Sequence, residues 1–144
     1  MPLIIPLISL LLCPGIVGPV GGDVVQGFEP QGAYAGHWGV DLAAAPGTPV
    51  RAAAPGVVTF AGPVAGRLTV TVLHGGGVRS SYSYLSEIVT GFGSPVAAGE
   101  VIGRSGLDHG AAVLHLSLRV GDRYVDPSRW LRCGRWLPGE GVHL

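Results

Sequence analysis

Val113-Leu114-His115-Leu116-Ser117-Leu118-Arg119-Val120 alternates without a break. In an extended chain successive side chains point to opposite faces. Leu114, Leu116, Leu118 and Val120 therefore share one face, and Val113, His115, Ser117 and Arg119 the other. This segment reads as a strand with an apolar face turned to a core. Residues 68–73 repeat the pattern, with Leu68, Val70 and Val72 alternating with Thr69 and Thr71. Further short β-type runs at residues 57–61, 78–85 and 101–104 are punctuated by Gly and Pro. No stretch of a dozen residues carries a helical period. The expected architecture is all-β, a compact antiparallel sandwich or barrel-like single domain.

Composition agrees with that class. The 144 residues suffice for one domain with a core and are too few for two of ordinary size. Apolar residues make up 47%, charged residues only 12%, and 25 Gly and 12 Pro imply many tight turns. Nine basic residues balance nine acidic ones, so no net field exists to hold nucleic acid or an anionic membrane. Every basic residue is Arg, which excludes chemistry based on a lysine nucleophile or a lysine-tethered cofactor. A weak internal echo links Gly47-Thr48-Pro49-Val50 to Gly93-Ser94-Pro95-Val96, each leading into a short strand. Biotinyl and lipoyl carrier domains share such an arrangement, but they need a lysine at a hairpin tip.

Residues 3–12 form an apolar run of the length of a signal-peptide h-region, followed by a Gly/Pro-rich stretch ending at Gly22. The prolines argue against a spanning helix. Residues 1–22 are therefore read as a signal peptide or N-terminal anchor, residues 23–36 as an irregular lead-in, residues 37–131 as the domain and residues 132–144 as a tail. Export to the cell envelope or beyond is the expected localisation. Asp126-Pro127-Ser128 is placed to cap a short turn of helix through Leu131. Cys13 falls in the leader, leaving Cys133 as a lone thiol in the mature chain.

The segment richest in chemistry is Gly36-His37-Trp38-Gly39-Val40-Asp41-Leu42. Extended, it puts His37 and Asp41 on one face with only a hydrogen at Gly39 between them. Zinc accepts imidazole nitrogen and carboxylate oxygen, and a catalytic zinc site takes three protein ligands and leaves one position open. His115, on the polar face of its strand, is the candidate third ligand. By themselves, two histidines and an aspartate are more often hydrogen-bonded surface residues than a metal site. Tyr34, Trp38, Tyr82 and Tyr84 are candidate groove aromatics, with ordinary sheet packing as the alternative. Arg51, Arg79 and Arg119 are candidate carboxylate holders, and nothing in the sequence chooses among them.

The run from His37 through Ala43, then Pro46-Gly47-Thr48-Pro49-Val50-Arg51-Ala52, Pro55-Gly56-Val57-Val58, the Gly93–Gly103 segment and Leu114-His115-Leu116 leading to Asp126-Pro127, resembles the lysostaphin/LytM-type zinc peptidases. The resemblance covers residues 37–131. It implies an antiparallel β fold, a zinc ion held by His37, Asp41 and His115, and peptidoglycan cross-links as the substrate.

Departures accompany it. The family's His-x-His pair has Val113 at its first position, and the family's Tyr-x-His-Leu motif reads Tyr82-Ser83-Tyr84-Leu85, with Tyr84 at the histidine. Ser117 stands where an acidic residue is usual. Val113 can neither carry a proton nor donate to an oxyanion. Tyr84 can donate, but a phenol with a pKa near 10 is a poor base at neutral pH. Two functions follow. One is a zinc-binding module that contacts peptidoglycan or a partner cell-wall hydrolase without efficient cleavage. The other is a working metalloendopeptidase that uses Tyr84 as electrophile, with the proton handled either by the zinc-bound hydroxide unaided or by His109 in the loop before the last strand. His74, before Gly75-Gly76-Gly77, reads as hairpin-turn chemistry away from the metal.

Overall fold

The computed structural model describes residues 16–33 and 35–134. Most of the expected leader, Tyr34 and the tail beyond residue 134 lie outside the described residues. The all-β antiparallel class is borne out. In chain order the strands are β1 (Val24–Gln26), β2 (Glu29–Gln31), β3 (Ala35–His37), β4 (Val40–Ala43), β5 (Pro49–Arg51) and β6 (Gly56–Val64). They continue with β7 (Arg67–Leu73), β8 (Val78–Ile88), β9 (Pro95–Val96), β10 (Val101–Asp108), β11 (Ala111–Val120) and β12 (Arg123–Val125), followed by the α-helix α1 (Pro127–Gly134). Ten strands form one antiparallel sheet, ordered β1-β4-β11-β10-β8-β7-β6-β9 with β5 and β12 attached to β10 and β11, and β2 and β3 form a separate hairpin.

Strand β11 organises the sheet. On one edge its partner changes from β10 at Val113 to β8 from His115 onward, and on the other from β4 to β12. The alternation seen in the sequence becomes burial: Leu114, Leu116 and Leu118 are closed to solvent and pack with Val40, Val70, Val72, Ile102 and Tyr82. Val120 escapes this face at the strand end and is exposed.

The Gly47 and Gly93 echo is a repeated turn. Thr48 N–H donates to the Ala45 carbonyl and Ser94 N–H to the Gly91 carbonyl, each at 3.1 Å, with Gly47 and Gly93 at φ 86° and 85°. Pro46 followed by Gly47 is the residue pair that a type II turn requires.

Three boundaries differ from expectation. The stretch 23–36 carries β1 and β2, short and exposed strands whose side chains show no buried face to read. The helix continues past Leu131 to Gly134; Ser128 N–H donates to the Asp126 carboxylate at 2.9 Å, and Pro127 fits the first helical position. The folded unit also includes residues before 23. Ile16 and Val17 are buried, Val17 N–H donates to the Ala53 carbonyl at 2.7 Å, and Arg51 N–H donates to the Pro19 carbonyl at 3.0 Å.

A buried polar chain ties strands to turns. Ala53 N–H donates to the Tyr82 hydroxyl (2.8 Å), which meets the Ser80 hydroxyl (2.6 Å), which meets His74 Nε2 (2.8 Å). His74 Nδ1–H donates to the Pro55 carbonyl at 2.7 Å. With Tyr82 donating to Ser80 and Ser80 to a neutral His74, every donor has one acceptor. Burial pushes the Tyr82 phenol up to about 12 and lowers the His74 pKa. Tyr82 is thus a core residue and does not line a groove.

Candidate metal centre

His37 ends β3, Asp41 is the second residue of β4, and His115 lies mid-way along β11. The β4–β11 register sets His115 opposite Asp41. One carboxylate oxygen, Asp41 Oδ1, lies 2.8 Å from His115 Nδ1 and 3.1 Å from His37 Nε2. The ligand atoms of all three residues fall within 4.8 Å of one another. Asp41 is buried, and both imidazoles are half-buried with their rings 4.9 Å apart.

The protonation pattern suits a cation. A carbonyl only accepts, so the 2.7 Å contact of His37 Nδ1 with the Gly27 carbonyl makes Nδ1 the protonated nitrogen. A neutral His37 then turns the bare lone pair of Nε2 towards the Asp41 carboxylate, which is favourable only with a proton or metal ion between them. Burial by itself would raise the Asp41 pKa. The hydrogen bond and charge of His115, with those of His37, outweigh it and leave Asp41 below the usual carboxylate range. Gly39 supplies the space: a Cβ there would stand 2.8 Å from His115 Nε2 and against the Leu116 carbonyl. The backbone bends at Trp38 and Gly39, so the two ligands converge around a turn instead of along a straight strand. This N/N/O set, with solvent on one side, fits zinc.

Tyr84 reaches the edge of this centre. Leu68 pairs with Leu85 and Thr69 with Ser83, so Tyr84 is the extra residue of a β-bulge, and its φ is 64°. Bulges re-aim side chains beside functional sites, and a left-handed φ is costly for a large L residue. The Tyr84 ring lies edge-on to His115 at 6.0 Å, with the Arg67 guanidinium over it at 5.1 Å. Burial and then the negative charge of Asp108 raise the Tyr84 phenol, against the opposing charge of Arg67. A raised pKa favours a hydroxyl donor over a base.

His109 does not join the three ligands. It occupies the turn between β10 and β11, is 77% exposed, and contacts Asp108 at 2.6 Å and Arg67 at 3.4 Å. Among the described residues, Tyr84 and His109 are linked through Arg67 and Asp108, two residues the sequence did not single out. Val113 is buried two positions beyond the Asp41–His115 pair, opposite Ala43.

A groove of about 720 Å³ runs from His115 across the polar face of β11, β8 and β7. Its floor is hydroxylic, with Thr71 Oγ1 and Ser81 Oγ at 2.7 Å, and Trp38 and Tyr124 stack edge-to-face at 5.8 Å along one wall. Arg119 lies in it, whereas Arg51 donates to the Gly99 carbonyl beside a separate hollow near Pro19.

Comparison with known proteins agrees with this geometry. The model of Peptidase family M23 matches residues 35–127. A protein of Mycobacterium tuberculosis is 45% identical over 100 residues, covering 64% of this chain and 40% of the relative. The DD-carboxypeptidase/endopeptidase Mpg of Neisseria meningitidis is 41% identical over 95 residues, covering 63% of this chain and 22% of the relative. The chain thus matches less than half the length of either curated relative. The catalytic domain of the antimicrobial peptidase lysostaphin from Staphylococcus simulans superposes with a TM-score of 0.66 at 29% identity, covering 78% of this chain and 92% of that domain. The match spans the strands that carry all three candidate ligands, and the chain belongs to Peptidase family M23.

Proposed function

We propose that this protein holds a zinc ion through His37, Asp41 and His115 and seats peptidoglycan peptide in the adjoining groove, acting in the cell envelope as a binding or regulatory module of wall remodelling. The observation that carries this reading is the convergence of the three ligand atoms within 4.8 Å; the resemblance to the family further implies that Val113 and Tyr84 stand where its proton-handling histidines do. Zinc, when bound, supplies Lewis-acid polarisation of a carbonyl. Peptide hydrolysis also needs a group that moves a proton, and missing it costs about 10²–10⁴ in rate. Neither the buried isopropyl of Val113 nor the Tyr84 phenol with its raised pKa moves a proton at neutral pH. Stem peptide or cross-bridge is the ligand in this reading, a cell-wall hydrolase the partner protein, and the apolar leader the route of export.

A second reading is favoured by the placement of Tyr84. A large residue held at φ 64° beside His115 is well placed to donate to an oxyanion, which would make the protein a slow metalloendopeptidase. His109 would carry the proton only after leaving Asp108 and Arg67. Digestion of peptidoglycan by the zinc-loaded chain, with His37→Ala alongside and products read by mass spectrometry, separates the two. Retained zinc and sedimentation with peptidoglycan without soluble peptides support the binding module. Metal-dependent release of peptides establishes the enzyme, and a chain that takes up no zinc defeats both.

A further inference from the structure

Arg119 and Arg79 are directly opposed across the β11–β8 pairing, four pairs beyond His115 and Ser83, with Ser117 and Ser81 midway on the same face. Ser80 and Tyr82 point into the core, so alternation places Arg79 on the groove face with Ser81 and Ser83. Like charges opposed in a strand pair destabilise it unless an anion lies between them. Among the described residues, no carboxylate stands within ion-pair distance of either arginine. Asp122 lines the same end of the groove but pairs with neither. The Arg119 guanidinium instead rests over the Tyr124 ring at 5.7 Å, which fixes its direction.

We propose that Arg79 and Arg119 form a carboxylate clamp at the far end of the groove, so that the peptide bound there carries a free carboxylate about four residues from the position over the metal centre. This rests on the groove being the peptide-binding surface. Four strand residues from His115 to Arg119 span about 13 Å, and an extended peptide covers that distance with about four residues. Guanidinium forks pair bidentately with carboxylates. The hydroxyls of Ser81, Ser117 and Thr71 between the two ends offer hydrogen bonds to a peptide backbone and add no charge. The protein's balanced charge also fits a ligand with one anionic group better than a polyanion.

The test uses the full zinc-loaded chain and two probes, N-acetyl-(Gly-Ala)₃ with a free terminal carboxylate and the same peptide as its carboxamide. Calorimetric titration is expected to show the acid binding at least about 10-fold more tightly than the amide. Arg79→Gln/Arg119→Gln should bind both at the wild-type affinity for the amide, with zinc content unchanged. Each single variant should lose part of the preference, which keeps the test open if the double variant fails to fold. Equal binding of acid and amide by the wild type, or a preference that survives in the double variant, overturns the clamp. Sedimentation with purified peptidoglycan distinguishes the failures: peptidoglycan bound without acid preference removes the clamp alone, and no binding of peptidoglycan or either peptide removes the groove reading with it.

Discussion

Asp41 and His115 are direct cross-strand partners whose side chains meet at 2.8 Å although they stand 74 residues apart in the chain. The pairing of β4 with β11 therefore builds two thirds of the candidate metal centre, and the bend at Gly39 brings in His37. Mutating either feature tests whether the centre is a metal site.

His37→Ala and Asp41→Asn should each abolish zinc retention after dialysis, measured by elemental analysis, with the fold kept by circular dichroism. Gly39→Ala removes no ligand but drives a methyl group towards His115 Nε2. It should weaken zinc binding by about 10–100-fold, the range for disturbing the support of a metal ligand. Undiminished zinc affinity in Gly39→Ala would show that His115 is not a ligand in its present position.

If the proposed binding role is right, histidines placed at positions 84 and 113 should raise catalysis. Tyr84→His combined with Val113→His is expected to raise peptide release from peptidoglycan by about 10²-fold or more, as a general acid–base normally contributes. A double variant that folds and binds zinc, yet cleaves no faster, would place the defect outside positions 84 and 113.

The backbone at Tyr84 stores strain. At φ 64° glycine is relieved of a penalty of roughly 1–2 kcal/mol that any L side chain meets there. Tyr84→Gly should therefore be more stable than Tyr84→Ala by about 1 kcal/mol in urea denaturation, and Tyr84→Phe should isolate loss of the hydroxyl.

Acid should loosen the His74 network. Burial lowers the folded-state pKa of His74 from its ordinary 6.5, so the unfolded chain takes up this proton first. Its contribution is fully present above about pH 6.5, falls as the pH drops below that value, and levels off once the folded-state pKa is passed. Urea midpoints should decline over this window more steeply for the wild type than for His74→Gln. Tyr82→Phe, which strips the donor from buried Ser80, should cost about 1–3 kcal/mol.

A chain beginning at Asp23 lacks Ile16 and Val17, both buried in the full protein. Full burial of such side chains contributes about 1.5–3 kcal/mol each. Its thermal midpoint should fall clearly below that of the full chain, and an unchanged midpoint would show that residues 16–22 are dispensable to the domain.

Alternation was enough to read β7 and β11, because Val70 and Val72 on one and Leu114, Leu116 and Leu118 on the other all face the core and print a period of two. The ligand trio was also legible as residue types with motif order. Their approach was not, since a register between strands 74 residues apart leaves no local trace. Arg67 and Asp108 escaped notice for the same reason: they meet Tyr84 and His109 only after β7, β8 and β10 are assembled. The Gly27 carbonyl that orients His37 is a backbone group, invisible in side-chain patterns.

The amino-acid sequence by itself determined the all-β class and the absence of lysine chemistry, for these are matters of residue identity and local period. Tertiary structure alone decided that Asp41 lies opposite His115, that a bulge sets Tyr84 beside His115, and that Arg79 and Arg119 stand opposite each other in the β11–β8 pair. Register, bulges and cross-strand neighbours arise from packing a whole sheet around one core, and no local stretch of chain contains that information.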